Sequence, residues 1–142
     1  MDIVKKGSAV WSGGLKDGKG AISTESGALD AHPYGFAQRF EGVKGSNPEE
    51  LIGAAHAACF TMALSLVLSE AGLTADTMET TAAVTLAKDD GGFSIPRIAL
   101  TLVATVPGAD EATFRQLAET AKTNCPVSKL FKADITLDAS LA

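Results

Sequence analysis

The sequence predicts an α+β protein, on three observations. Alternating apolar segments near the N-terminus and over 78–106 are joined by Gly- and Asp-rich turn sequences, which signals hairpins. One long, well-bounded apolar helix lies between them, from Asn47 to Gly72 (NPEELIGAAHAACFTMALSLVLSEAG). Two helical stretches then separate the second hairpin from a last strand. The order βββ-α-ββ-α-α-β, with antiparallel hairpins at both ends, suggests α+β rather than the strict alternation of an α/β fold.

Residues 2–11 alternate loosely around Ile3, Val4, Ala9, Val10 and Trp11, which suits a first strand. Gly13, Gly14 and Asp17-Gly18 are turn chemistry, and Ala21 and Ile22 begin a second strand. Glu25 to Tyr34, with Gly27, Asp30 and Pro33, reads as a loop, and Phe36 to Phe40 (FAQRF) as a short third strand. The central helix follows. Asn47 is a good N-cap, Pro48 suits the first helical position, and Glu49 and Glu50 favour the positive end of the helix dipole. Gly72 can adopt the left-handed conformation that ends a helix.

Between its ends this helix is apolar on nearly every side: Leu51, Ile52, Phe60, Met62, Leu64, Leu66, Val67 and Leu68 cover the circumference. Such a helix is buried all round or lies in a membrane. The small residues Gly53, Ala54, Ala57 and Ala58, and His56 within the run, argue for a soluble core helix approached closely by another backbone, since a spanning segment wants about 20 strongly apolar residues. A homodimer that packs two such helices together would bury them.

After Gly72, Met78 to Lys88 alternates, Asp89-Asp90-Gly91-Gly92 is a hairpin signal, and the return strand runs from Phe93 to about Val106 with Ile98, Leu100 and Leu102 on one face. Pro96 within it marks a bulge or an edge. Asp110 is an N-cap for a second helix whose Phe114, Leu117, Ala118 and Ala121 form one stripe. Asn124-Cys125-Pro126 opens a short third helix, with Pro126 at its first position. Asp134 to Asp138 (DITLD) is a final strand.

A chain of 142 residues, 46% hydrophobic and 20% charged, has the size and composition of one globular domain, here 1–142. The net charge of −5 argues against nucleic acid as a partner. The N-terminal MDIVKKGSAVW lacks the apolar core of a secretory signal. The expected compartment is therefore the cytoplasm, where a structural disulfide is unusual. Two cysteines there are either buried spectators or redox-active.

Either cysteine alone is accounted for as a small buried hydrophobe. Cys125, however, sits at a predicted helix start, where amide dipoles favour a thiolate. Cys59 has His56 one turn away on its own helix, so a Cys-His nucleophile pair is conceivable, against the commoner case of a helical His bonded locally. Two Cys and two His without ligand-like spacing do not make a metal site. Arg39, between Phe36 and Phe40, is either an ordinary snorkelling Arg or a guanidinium able to stabilise a thiolate and orient a polar substrate oxygen. Glu49 and Glu50 are explained as helix-start residues, and either is a possible site carboxylate. Roughly 15 Å of helix rise separates Glu49 from Cys59. If both serve one site, the Glu must come from a second copy whose helix runs antiparallel, giving an isologous dimer with two sites. The residues by themselves stop at a two-cysteine cytoplasmic thiol protein, and leave open a binding or stress protein whose cysteines merely pack and a thiol hydrolase using Cys59 and His56.

Over essentially its whole length the sequence resembles the OsmC/Ohr family of thiol peroxidases. The stretches that carry the resemblance are WSGGLKDGKGAISTESGAL, HPYGFAQRFEG, GSNPEELIGAAHAACFTMALS and NCPVSKLFKADITL. The NPEEL…AACF block together with CPVS is far more specific than a lone Cys. The resemblance implies an intertwined homodimer in which antiparallel sheets wrap long central helices, with two active sites at the subunit interface. It implies that Cys59 is the peroxidatic cysteine and Cys125 the resolving one, and that Arg39 and Glu49 activate Cys59 and orient the peroxide. It further implies reduction of organic hydroperoxides, no metal or bound cofactor, and an external thiol reductant, a dihydrolipoyl protein. Phe36, Phe60 and Met62 are candidates for an apolar wall around Cys59.

Overall fold

The computed structural model describes residues 1–142. Its elements are β1 (Gly7–Ser12), β2 (Lys19–Thr24), β3 (His32–Tyr34), α1 (Phe36–Phe40), α2 (Pro48–Glu70), β4 (Thr77–Asp89), β5 (Gly92–Thr105), α3 (Glu111–Asn124), α4 (Pro126–Leu130) and β6 (Asp134–Leu141). This is a mixed α+β arrangement with two three-stranded sheets, ordered β1-β2-β3 and β4-β5-β6. The chain divides into two compact units, Met1–Leu51 and Ile52–Ala142, with α2 beginning in the first and continuing through the second.

In the first unit β1, β2 and β3 pair antiparallel, with Trp11 opposite Gly20 and Gly20 opposite Tyr34. The Trp11 and Tyr34 rings lie 5.4 Å apart and close over Gly20, where a Cβ would run into both. Ser46 ties the end of the segment back to β3, its hydroxyl donating to the Pro33 carbonyl at 2.8 Å. No residue from Met1 to Ser46 is buried, and Val10 on β1 is 71% exposed.

Two expectations are corrected in this unit. The third strand is His32–Tyr34, in the segment expected to be a loop, so exposed His32 lies on a strand. Phe36–Phe40, expected to be a strand, is a helical turn. A run this short carries no decisive periodicity, and Phe36 and Phe40 are spaced to meet one helical turn apart, their centroids 4.8 Å from each other.

The second unit holds the core. The start of α2 is capped by Asn47, whose Oδ1 accepts the Glu50 backbone N–H at 2.8 Å. At its end the Leu73 N–H reaches the Leu68 carbonyl at 2.8 Å and the Gly72 N–H reaches Ser69 at 3.0 Å. With Gly72 at φ +74° this is a Schellman stop. By length and composition Pro48–Glu70 is apolar enough to cross a membrane. One stripe of it is buried: Gly53, His56, Phe60, Leu64 and Leu68. Off that stripe Met62 is 75% and Leu66 61% exposed. Gly53 admits the close approach expected of the small residues, because a Cβ there would sit 3.0 Å from the Ala82 carbonyl on β4. Thr61 stitches the same pair of elements, its hydroxyl 2.7 Å from that of Thr80.

Strands β4 and β5 form the expected hairpin, Asp89 pairing with Gly92. The register slips between Thr85 and Ala87, opposite Ile95 and Pro96, so the proline sits in a bulge. Ile98, Leu100, Leu102 and Ala104 point into a core shared with Phe60, Leu64, Leu68, Phe114, Ala118 and Ala121. Asp110 caps α3, accepting the Thr113 N–H at 2.9 Å. The last strand departs from the expected all-antiparallel sheets: β6 runs parallel to β5, Ile98 opposite Ile135 and Leu102 opposite Ala139. A parallel neighbour needs a crossover of a dozen or more residues, and α3 with α4 supplies it.

Candidate active site

The first unit holds an ion pair and an apolar pocket. Arg39 Nη2 donates to Glu49 Oε1 at 2.7 Å, and Nε donates to Oε1 and Oε2 at 3.1 and 3.2 Å. The guanidinium also lies 5.5 Å from the Phe40 ring centroid, a cation–π distance. Because Phe36–Phe40 is helical, Arg39 shares a face with both phenylalanines. Together with Trp11, Leu15 and Tyr34 they line a cavity of about 160 Å³. Glu49 Oε1 and Oε2 are therefore the carboxylate partners of Arg39. Glu50 instead gives its backbone N–H to the Asn47 cap.

The second unit holds the sulfurs. Cys59, on α2, is half-buried and Cys125 is fully buried, and both are free thiols. Cys125 is the hinge between two helices: its N–H closes α3 on the Ala121 carbonyl at 2.9 Å, and its own carbonyl accepts the Lys129 N–H at 3.1 Å. Its side chain stands at the N-cap of α4, where the Ser128 and Val127 amides act on the sulfur.

The two thiols interact directly, and the sharing is unequal. Burial raises the Cys59 thiol, and the hydrogen bond to Cys125 and that sulfur's charge raise it further, against a smaller opposing pull from the Val127 N–H. Burial also pushes Cys125 up, but the Cys59 thiol, the Ser128 amide and hydroxyl and the Val127 amide outweigh it and hold Cys125 below the ordinary thiol range. Burial beside a second sulfur thus disfavours the Cys59 thiolate, while the amides at the start of α4 favour that of Cys125. Making Cys59 the thiolate requires a further positive charge.

His56 does not pair with Cys59. Its Nε2 is 2.8 Å from Ser128 Oγ, and its buried Nδ1 has no partner. This removes the Cys59–His56 nucleophile pair that a hydrolase would need. Of the residues expected to wall the site, Phe36 lines the cavity beside Arg39, Phe60 is turned wholly into the core, and Met62 is exposed.

A family profile described as OsmC-like protein matches residues 41–140. The chain belongs to the OsmC-like family. It is 60% identical over 141 residues to peroxiredoxin OsmC of Escherichia coli K12, with 99% of each chain covered. It is 35% identical over 124 residues to the organic hydroperoxide resistance protein OhrB of Bacillus subtilis 168, covering 86% of this chain and 88% of that one. The crystal structure of B. subtilis OhrB superposes with a TM-score of 0.69 at 32% identity, covering 96% of this chain and 98% of the other. An OsmC-like protein from Mycoplasma pneumoniae, 17% identical, shares the fold with a TM-score of 0.77.

For this OsmC-like chain, reading the sequence missed Ser128 and Val127, which act on the sulfurs, and Trp11, Leu15 and Tyr34, which complete the cavity beside Arg39. Ser128 had a usable signal: it stands at N3 behind a Cys at N-cap, the two positions that exchange hydrogen bonds in a capping box. The aromatic set had none, because Trp11 and Tyr34 come together only through the β1-β2-β3 register.

Proposed function

We infer that this protein is a cysteine-based peroxidase of the peroxiredoxin type that reduces organic hydroperoxides, and hydrogen peroxide more weakly, in stress defence. The observation that carries this reading is the hydrogen bond between Cys59 and Cys125, two free thiols far apart in sequence, one within α2 and the other between α3 and α4. In the proposed cycle the Cys59 thiolate attacks the distal oxygen of ROOH. A new S–O bond forms as the O–O bond breaks, ROH departs, and Cys59 is left as sulfenic acid. Cys125 then attacks that sulfur, water leaves, and a Cys59–Cys125 disulfide closes. An external dithiol, on our reading a dihydrolipoyl protein, reduces it. The cycle calls for no bound cofactor or metal.

We propose that Arg39 supplies the positive charge that Cys59 needs and that Glu49 fixes the guanidinium. The apolar cavity beside Arg39 supports an organic R group on the substrate. Since Glu49 and Cys59 lie roughly 15 Å apart along one helix, the reading places Arg39 and Glu49 of one protomer at Cys59 of another. The working molecule is then an intertwined homodimer of 1–142 domains with long central helices at its heart. Exposed Met62 and Leu66 on α2, and a first unit with no buried residue before Asn47, support it. A second copy covering that apolar face, rather than lipid, is consistent with a cytoplasmic protein.

The test is to mix the reduced protein with stoichiometric cumene hydroperoxide, count free thiols and map any disulfide by mass spectrometry. Rapid loss of both thiols with a Cys59–Cys125 link within one chain is expected. In Cys125→Ser a single rapid oxidation without recycling is expected. Two thiols left intact under native conditions would return the protein to the class of binding or stress proteins with packed cysteines.

A further inference from the structure

The sulfur pair is one end of a longer polar chain, fully buried at Cys125 and His56. At the other end stands His56, fully buried on α2, with Nε2 2.8 Å from Ser128 Oγ and its ring edge-on to Phe131 at 5.5 Å. Its Nδ1 is buried without a partner, which favours the tautomer that leaves this nitrogen bare. A neutral imidazole has one N–H and one bare nitrogen. An orphaned buried N–H is rarer in proteins than an acceptor with a spare lone pair. The bare nitrogen is therefore Nδ1, and the proton is on Nε2, donating to Ser128 Oγ. Burial also lowers the His56 pKa, which keeps the ring neutral.

With its oxygen occupied by the imidazole N–H, the Ser128 hydroxyl has one proton left to direct. Ser128 is at N3 of α4 and Cys125 at the N-cap, and the Ser128 hydroxyl hydrogen-bonds the Cys125 sulfur. The opposite tautomer would draw the hydroxyl proton to His56 and take a donor away from the sulfur.

We propose that His56 is a positioning residue for the resolving step: its Nε2–H turns the Ser128 hydroxyl proton onto the Cys125 sulfur, which keeps Cys125 primed to attack oxidised Cys59. The proposal rests on the peroxidase reading for its consequence, and on the second unit alone for its geometry. In the step itself the Cys125 sulfur bonds to the sulfenic sulfur of Cys59 and the S–O bond breaks. The departing oxygen takes up the proton lost by the Cys125 thiol and leaves as water. Cys125 is oxidised, the sulfenic sulfur is reduced, and His56 gains and loses no proton. Its contribution is the direction of one hydrogen bond.

The experiment uses full-length reduced wild type, His56→Leu, Ser128→Ala, the double variant and His56→Gln. Each is mixed with one equivalent of cumene hydroperoxide and quenched with a sulfenic-acid trap and a thiol block. Disulfide closure, followed after the Cys59 oxidation step is complete, should slow about tenfold in His56→Leu and in Ser128→Ala, the loss of one hydrogen bond to a charged acceptor. The double variant should be no slower than either single one, and His56→Gln, which keeps an N–H donor, should restore closure. A second readout needs no peroxide. In a Cys59→Ser background the ultraviolet thiolate absorbance of Cys125 should titrate at higher pH in His56→Leu and Ser128→Ala than with His56 and Ser128 intact. Unchanged closure and titration in both variants would overturn the proposal, as would a His56→Gln protein as slow as His56→Leu. If the wild type itself fails to react with peroxide, the peroxidase reading falls, and the titration still upholds or overturns the His56 contact.

Discussion

Arg39 and Glu49 form a forked ion pair, in which Nη2 and Nε of the guanidinium converge on one carboxylate at 2.7 to 3.2 Å. The carboxylate is the more enclosed partner, at 12% side-chain exposure against 37% for the guanidinium. One edge of Arg39 is thus spent on Glu49 and held in a fixed plane, which leaves the remaining N–H groups to face a second anion. A planar fork makes this possible, and a lysine ammonium does not.

Arg39→Lys should therefore lower kcat/KM for cumene hydroperoxide about a hundredfold, the scale of losing an aimed donor at a reacting oxygen. Glu49→Gln, which keeps the shape and loses the charge-assisted fork, should cost about tenfold. Steady-state assays with a dithiol donor check both. Full activity in Arg39→Lys would detach the pair from the chemistry.

Exposed Met62 and Leu66 on α2 lead to an expectation about assembly. Met62→Lys together with Leu66→Glu should convert a dimer into a monomer in sedimentation velocity, with peroxidase activity lost while Cys59 and Cys125 remain intact. An active monomer would show that the site is complete in one chain.

Buried neutral His56 makes stability depend on pH. Its folded pKa lies below the ordinary 6.5 because burial disfavours the charged ring. Its contribution is present in full above pH 6.5 and is lost as pH falls through the folded value, since the unfolded chain binds a proton that the folded one refuses. Across that window stability should fall by up to about 1.4 kcal/mol per pH unit. Urea midpoints of wild type and His56→Gln should converge as pH falls, the uncharged Gln lacking this component of the slope. Parallel pH profiles for the two proteins would contradict it.

Gly53 sets the distance between α2 and β4. Its absent side chain lets the helix approach within 3.0 Å of the Ala82 carbonyl and 3.4 Å of Val84 Cγ2, measured from an added Cβ. Because the blocking atom is backbone, Gly53→Val should destabilise the protein by about 1–3 kcal/mol despite valine's better helix propensity. Chemical denaturation checks this, and a neutral or stabilising result would mean that α2 can shift outward freely.

Legibility followed the range of the interaction. Asn47, Gly72, Asp110 and Pro126 act on backbone groups within a turn of themselves, so their roles as caps and first-turn residue could be read from the sequence and are found in place. The Asp89–Gly92 turn and the Pro96 bulge belong to the same class. Phe36–Phe40 resisted reading because five residues hold too little periodicity to separate a strand from a helical turn. The parallel setting of β6 was missed because DITLD alternates identically in either direction.

What the sequence by itself determined is the long elements α2, β4, β5 and α3 with the caps and turns that bound them, and a resemblance that singles out Cys59, Cys125, Arg39 and Glu49. Only the tertiary structure decided that Cys125 rather than His56 meets Cys59, that Ser128 joins His56 to the sulfurs, and that Trp11 and Tyr34 close a cavity around Arg39. The physical reason is that caps and turns satisfy the nearest unpaired backbone groups. A contact between side chains distant along the chain depends instead on where two separate elements come to rest, and packing of the whole core sets that.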